Sequence, residues 1–269
     1  MVMKSLLKKI LPQAAIDFAR QQLNSRYVSQ ANPVAPVDDG IRTSWDEAVT
    51  SGAKYTDADL TLFKIKRGEA RIPDGSLLAE SPLKSVTIED GDTITDFGGS
   101  IGDLGLEVLA AYPRTKYIVV ENETMVEMMR GRNAVEFTTS IPDQCDIFYT
   151  SGTLQYLSDP MEVFEAGVRS ARRAVILARN SFCRTEIFRV QRSRLFDNGR
   201  GPVPEGFTDR VITYPHRTIN EEAVHAIAEK HGFKCLERQE ASSGVLRHND
   251  EVYGVDLVFT KVRPGAVQS

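Results

Sequence analysis

At 269 residues the chain exceeds the common size of one domain but can still form a single large α/β domain with appendages. Its 33 basic and 37 acidic residues, with a sequence pI near 5.7, remove any global electrostatic case for nucleic-acid binding. The cysteines are Cys145, Cys183 and Cys235, an odd number without a C-x-x-C spacing, so neither a disulfide framework nor a zinc site is indicated and a reduced, cytoplasmic setting is expected.

The chain opens with an apolar stretch interrupted by Lys4, Lys8 and Lys9, which breaks a signal-peptide core. No run approaches the roughly 18 apolar residues of a spanning helix. Leu6, Leu7, Ile10, Leu11, Ala14 and Phe18 form an apolar face beside those lysines. That face suits a helix docking on its own domain, with peripheral membrane contact as the alternative. Residues 27–39, with two prolines, read as a linker, so residues 1–40 form an N-terminal helix and linker. Residues 41–90 read as a helical cap. Ser44 and Glu47 make a capping box that starts one helix, with Gly52 as its stop. A second runs from about Asp57 to Arg67, carries Leu60, Phe63 and Ile65, and stops at Gly68.

From Thr93 the pattern alternates between strands and helices. Strands are expected near Thr93–Phe97, Tyr117–Glu121, Ala134–Phe137, Asp146–Thr150 and Ala174–Ala178, an order that predicts a parallel, doubly wound α/β sheet. The first strand runs into Asp96-Phe97-Gly98-Gly99-Ser100-Ile101-Gly102, a turn that lets backbone approach a nucleoside closely. Glu121, 19 residues beyond Gly102, ends the second strand, where a carboxylate can hydrogen-bond a pair of ribose hydroxyls. A dinucleotide fingerprint is absent, because Ser100 and Asp103 stand where G-x-G-x-x-G needs its second and third glycines. There is no G-x-x-x-x-G-K-[ST] either. An acid two residues before the first glycine instead suits S-adenosylmethionine, whose amino and sulfonium groups are cationic. Thr139 and Ser140, after the third strand, are placed toward the adenine end.

Ser151, Gly152, Leu154, Gln155 and Tyr156 follow the fourth strand, at the rim where open α/β sheets bind ligands. The next helix has Asp159 as N-cap, Pro160 in its first position and Glu162 three residues past the cap. The span 179–217 is far longer than a usual connection and reads as a lid-like insertion over the substrate. It holds Arg179, Arg184, Arg189, Arg192, Arg194, Arg200, Arg210 and Arg217, residues suited to phosphate or carboxylate recognition or to a solvated charged face. His216, just before the last helix, is the candidate general base. That helix, from Thr218 or Asn220 to Lys230, leads into strands Lys234–Glu240 and Val255–Thr260, an antiparallel ending to the sheet. No grouping of histidine, cysteine and carboxylate has metal-ligand spacing, so a metal-independent reaction is expected.

Asp96 to Gly102 with Glu121 resembles the first two motifs of class I S-adenosylmethionine-dependent methyltransferases. More narrowly, Asp96-Phe97-Gly98-Gly99-Ser100, Val120-Glu121, the run from Thr150 through Leu154-Gln155-Tyr156-Leu157 to Pro160, and Arg179-Asn180-Ser181-Phe182 resemble a bacterial methyltransferase family with LDFGGS and SSVLQYLEDP-type motifs. The similarity runs from about Trp45 to Phe259. It departs where the family reads Arg-Thr-Pro and this chain has Arg179-Asn180-Ser181. The resemblance implies a Rossmann-like, seven-stranded sheet with an antiparallel last strand over residues 91–265. It also implies an enzyme using S-adenosyl-L-methionine, with Asp96, Gly98, Gly99, Ser100, Gly102, Glu121, Ser140, Ser151, Gly152, Leu154 and Gln155 around the cofactor. Arg179, Tyr156 and His216 would face the acceptor. Members often accompany glycosyltransferases in surface-polysaccharide clusters, which implies O-methylation of a sugar hydroxyl in a small-molecule or glycan-precursor substrate. The alternatives are a natural-product O- or N-methyltransferase and a cofactor-binding partner protein without turnover.

Overall fold

The structure, a computed structural model, describes residues 38–50, 58–69, 71–241 and 251–262. The expected N-terminal helix and the Gly52 stop lie outside these residues. The described chain runs β1 (Asp38–Arg42), α1 (Trp45–Thr50), α2 (Ala58–Glu69), α3 (Ser76–Glu80), β2 (Thr93–Phe97), α4 (Asp103–Ala111), β3 (Lys116–Val120), α5 (Glu123–Met129), β4 (Glu136–Thr138), β5 (Cys145–Ser151), α6 (Pro160–Ser170), β6 (Ala171–Phe182), β7 (Phe188–Arg194), β8 (Val211–Arg217), α7 (Glu221–Lys230), β9 (Phe233–Glu240) and β10 (Tyr253–Lys261).

Seven strands form the main sheet in the order β4-β3-β2-β5-β6-β10-β9. The pairings from β4 across to β6 are parallel, and β10 runs antiparallel to both β6 and β9. This is the Rossmann-like sheet with antiparallel last strand expected from the sequence. Its central strands are apolar on both faces because both are covered. On one face Phe148, Leu177 and Phe259 meet Phe164, Val168 and Val224 from α6 and α7. On the other, Ile94, Val119 and Ile176 pack with Val108 of α4 and Leu83. Each fully buried Phe or Leu of this kind contributes about 1.5–3 kcal/mol. Gly167 brings α6 so close to the sheet that an added β-carbon would overlap the Phe148 ring.

Helix starts follow local chemistry. Ser44 Oγ accepts from Glu47 N at 3.2 Å, while Glu47 reaches back to Thr43 N at 2.8 Å, one residue earlier than a standard capping box. Asn220, not Thr218, caps α7 and accepts from Ala223 N at 3.0 Å. Asp159 stands at the N-cap of α6 but makes no side-chain capping bond there.

Two segments add to the sequence reading. Residues 38–42, expected to straddle linker and cap, form β1, and the expected lid-like insertion contains two strands, β7 and β8. β1, β7 and β8 make a second, three-stranded antiparallel sheet in the order β1-β7-β8. Helix α2 joins the two parts of the fold. Its Leu60 and Phe63 pack with Ile212 and Tyr214 of the small sheet and with Leu195 just after β7, and its Ile65 packs with Ile101 and Met125 beside the main sheet. Arg67 donates to the carbonyls of Phe196, Asn198 and Gly201 at 2.5, 2.9 and 2.7 Å, tying the helix to the connection between β7 and β8.

Candidate functional site

The turn after β2 lies at the carboxyl end of the parallel sheet and is built from left-handed residues. Gly98, Ser100 and Gly102 have φ of 76, 55 and 82°, a region L-residues other than glycine rarely enter. Gly98 N donates to Val120 O at 2.8 Å, and Gly102 N to Gly99 O at 3.0 Å, which closes the turn onto the start of α4. A β-carbon on Gly98 would overlap the Thr153 side chain, and one on Gly99 would overlap the Asp96 carboxyl group. These glycines are required by packing beneath and beside the turn as well as by its backbone shape.

Glu121 follows β3 directly and reaches across to the turn. Its Oε1 accepts from Ser100 N at 3.1 Å, and its Oε2 accepts from Asn122 N and Nδ2 at 3.1 and 3.0 Å. A carboxylate offers about four lone-pair sites, so acceptor capacity is left for a ligand hydroxyl. Asn122 in turn caps α5 through Met125 N at 3.0 Å. Ser140 lies exposed after β4, its amide bonded to Thr138 Oγ1 at 3.3 Å. The expected adenine-end residue is therefore on the same side of the sheet order as Glu121.

Asp96 is buried under Gly99. Its Oδ2 accepts from Tyr117 Oη at 2.8 Å. Burial pushes its pKa up to about 7; the Tyr117 bond opposes that rise and the nearby Glu121 adds to it. Tyr149, also buried, accepts from Ser81 Oγ at 3.2 Å, and burial followed by the Asp96 charge lifts its phenol to about 12. Tyr117 is raised well above its ordinary value by the same causes. The two tyrosines were not singled out from the sequence. The signal was present, since each puts a hydroxyl inside an otherwise apolar strand, where a buried O–H must find a partner.

The turn after β5 forms the opposite wall. Thr150 Oγ1 donates to Phe97 O at 2.9 Å, Thr153 Oγ1 donates to Ser151 O at 3.2 Å, and Gly152 (φ 65°) donates its amide to Ala178 O at 2.8 Å. Leu154 points into the core, so any contact it makes with a ligand is through backbone. Gln155 is also buried, and its Oε1 accepts from Ser181 N at 2.7 Å, bracing β6 against this turn. Tyr156 donates to Gln191 Oε1 at 3.0 Å and meets the Tyr214 and His216 rings edge-on. Arg179 is left-handed at φ 55°, with an exposed side chain and an amide that donates to Asp256 Oδ1 at 2.8 Å.

His216 does not meet the expectation of a general base. It is wholly buried in β8, and its Nδ1 accepts from Arg189 Nε at 3.0 Å. A neutral ring with Nδ1 so engaged carries its proton on Nε2, which lies 3.4 Å from Ser181 Oγ. No lone pair is left for an incoming proton. Burial and the Arg189 charge also hold its pKa well below the usual value. The arginines of this span are largely engaged within the fold. Arg194 pairs with Asp209, Arg200 with Glu80 at 3.8 Å, Arg210 with Asp59 at 3.5 Å, and Arg184 with Glu222 at 3.7 Å. Arg217 pairs with Glu186 and lies over the Trp45 and Phe188 rings. Among the described residues no cluster of histidine, cysteine and carboxylate could hold a metal, and no helix is long and apolar enough to cross a membrane.

No protein-family model and no curated protein matches the sequence. Among solved structures, the chain is similar to a SAM-dependent methyltransferase from Aquifex aeolicus, at 18% identity over 77% of this chain and 99% of that one, with a TM-score of 0.44. It is also similar to the CcbJ methyltransferase from Streptomyces caelestis, at 11% identity over 80% and 99% of the two chains and a TM-score of 0.46. The glycopeptide N-methyltransferase MtfA, crystallised with sinefungin, is similar at 12% identity over 79% and 100% of the chains, with a TM-score of 0.47. Likenesses this faint carry no argument about ligand or activity.

Proposed function

We propose that this chain is an S-adenosylmethionine-dependent methyltransferase acting on a small molecule or glycan precursor, with a sugar hydroxyl as the leading acceptor. The observation that carries the cofactor half is the left-handed glycine turn set between two carboxylates, Asp96 beneath it and Glu121 across it. That arrangement leaves backbone rather than side chains facing a ligand, and it offers negative charge without a phosphate cradle. The Gly98–Gly102 backbone and the Ser151-Gly152-Thr153 turn would line the cofactor. Glu121 would hold the ribose, Ser140 would lie toward adenine, and Asp96 would offset the cation.

When bound, the cofactor supplies a methyl carbon made electrophilic by its sulfonium. The protein then has mainly to align the acceptor's lone pair with that carbon and keep water out. With both His216 nitrogens engaged in the fold, the reading relies on positioning, with the acceptor's proton leaving to solvent. Arg194 and Arg217 are held by Asp209 and Glu186, which makes them poor candidates for reading an acidic group on the acceptor. The sugar itself is supported by the family resemblance alone.

Calorimetric titration with S-adenosylmethionine and its demethylated product, with NAD and NADP as controls, tests the cofactor half. Binding of both adenosyl ligands, weakened by Glu121→Ala, is expected. Well-folded protein that binds neither sinks the reading and favours a partner protein without turnover. Product mass from a panel of nucleotide sugars, polyols and amines then sorts the acceptors.

A further inference from the structure

β6 breaks its regular pairing where it passes the crevice. The register with β10 shifts between Val255, opposite Asn180, and Leu257, opposite Leu177, so Ala178 and Arg179 face Asp256 as a bulge. Arg179 takes a left-handed conformation there and is held by the Asp256 carboxylate. A non-glycine residue in this conformation is strained, and the strain persists where the surroundings enforce it. Bulges of this kind re-aim the next side chain.

That side chain is Asn180, fully buried, at the position where the sequence leaves the Arg-Thr-Pro pattern. Its Nδ2 donates to Ala178 O at 2.7 Å, the same carbonyl that accepts from Gly152 N. Two donors meeting on one carbonyl place the Asn180 amide against the turn that follows β5. The orientation of the amide is fixed, because Ala178 O can only accept and the nitrogen must face it. The other end, Oδ1, is buried and has no hydrogen-bond partner among the described residues. A buried acceptor left unmade is costly, and natural folds keep few of them.

The sheet order orients the proposed cofactor relative to β6. Glu121 and Ser140 put the ribose and adenine ends of the proposed cofactor over β3 and β4. The methionine end then lies toward β5, and β6 is the next strand beyond it. We propose that Asn180 Oδ1 is a ligand-positioning acceptor that takes a hydrogen bond from an O–H or N–H donor at the methyl-transfer end of the crevice. The donor is either the cofactor's ammonium or the hydroxyl or amine of the acceptor. This inference rests on the methyltransferase reading and names a residue for that same site.

The test uses Asn180→Leu, similar in shape and without the acceptor, and Asn180→Ala should the leucine variant fail to fold. Wild type and variant are titrated with S-adenosylmethionine and with 5′-methylthioadenosine, which lacks the ammonium-bearing part. Both proteins are also assayed for total S-adenosylhomocysteine released on a mixed panel of nucleotide sugars, polyols and amines. If the cofactor is the source, the variant binds S-adenosylmethionine about tenfold more weakly, as expected for a hydrogen bond to a charged group, and methylthioadenosine equally well. If the acceptor is the source, both affinities hold and release falls about tenfold. A general packing defect would instead weaken both adenosyl ligands together, and that result overturns the proposal. So do affinities and release that match wild type within twofold, whatever the panel's yield. Failure of wild-type protein to bind S-adenosylmethionine would show in the first titration and would sink the methyltransferase reading itself.

Discussion

On the methyltransferase reading, the buried carboxyl of Asp96 should make cofactor binding depend on pH, and Tyr117→Phe should move that dependence by a predictable amount. In the free protein Asp96 titrates near 7, with Tyr117, Tyr149 and Glu121 as the ionisable groups around it. A cationic ligand favours the ionised form, so affinity should rise with pH through about 6–8 and level off above. The Tyr117 hydroxyl stabilises the ionised form more than the protonated one, and a hydrogen bond to a charged group is worth about 1.5–3 kcal/mol. Its loss should raise the midpoint by about 1–2 pH units, to roughly 8–9, at about 1.4 kcal/mol per unit. Since apparent affinity scales with the competent fraction, binding at pH 7 should weaken about 5- to 50-fold, with the gap closing as pH rises. Calorimetry from about pH 5.5 to about 10, in two buffers of different ionisation enthalpy, reads both the midpoint and the proton released on binding. Asp96→Asn should bind weakly at every pH with no proton release. A pH-independent affinity in wild type, or a Tyr117→Phe curve that overlays it, would refute the reasoning. The same shift acts on unliganded stability. Folded Asp96 keeps its proton up to about pH 7 and the unfolded chain loses it near 3.8, so the native state binds more protons across that window and stability falls as pH rises through it.

Gly98→Ala should lower affinity for S-adenosylmethionine more than tenfold in calorimetry, because its β-carbon overlaps Thr153 in a left-handed turn. Gly167→Ala presses on the Phe148 ring instead and should cost about 1–3 kcal/mol of stability, read as a lower melting temperature with adenosyl-ligand affinity kept. His216→Gln should lower the melting temperature while leaving the pH dependence of turnover where wild type has it; loss of an acid limb would restore the general-base assignment. Arg67→Ala removes three bonds to the connection between β7 and β8 and should make residues 195–210 the first site of limited proteolysis, mapped by mass spectrometry.

The main sheet was legible because its signals are local. Each central strand is a short apolar run, and the turn after β2 announces itself by its glycines, while strand ends moved by only a few residues. The small sheet was read only as a lid-like span because polar Arg189, Gln191 and His216 share its buried positions with Val190, Ile212 and Tyr214. In β7, Arg189, Val190 and Gln191 are buried in succession, which erases the alternation that marks a strand. In β8, Pro215 argues against a strand, and the structure tolerates it because β8 is an edge. Glu121 was legible from spacing, but its bond to Ser100 N was not, since that depends on how β3 sits beside β2. His216 looked like a base because its sequence neighbours say nothing of Arg189, which reaches it from the paired strand.

The position of β10 bears on how the protein is made. It lies between β6 and β9, so during synthesis from the amino end β9 emerges with no neighbour to join. The five parallel strands can assemble on the ribosome, but the carboxylate of Asp256 that holds Arg179 in place arrives only with β10. The nascent chain can therefore build a complete glycine turn before the brace on Arg179 exists. The conformation of Arg179 is thus among the last features to be fixed, and a chain released before β10 would keep the glycine turn without that brace.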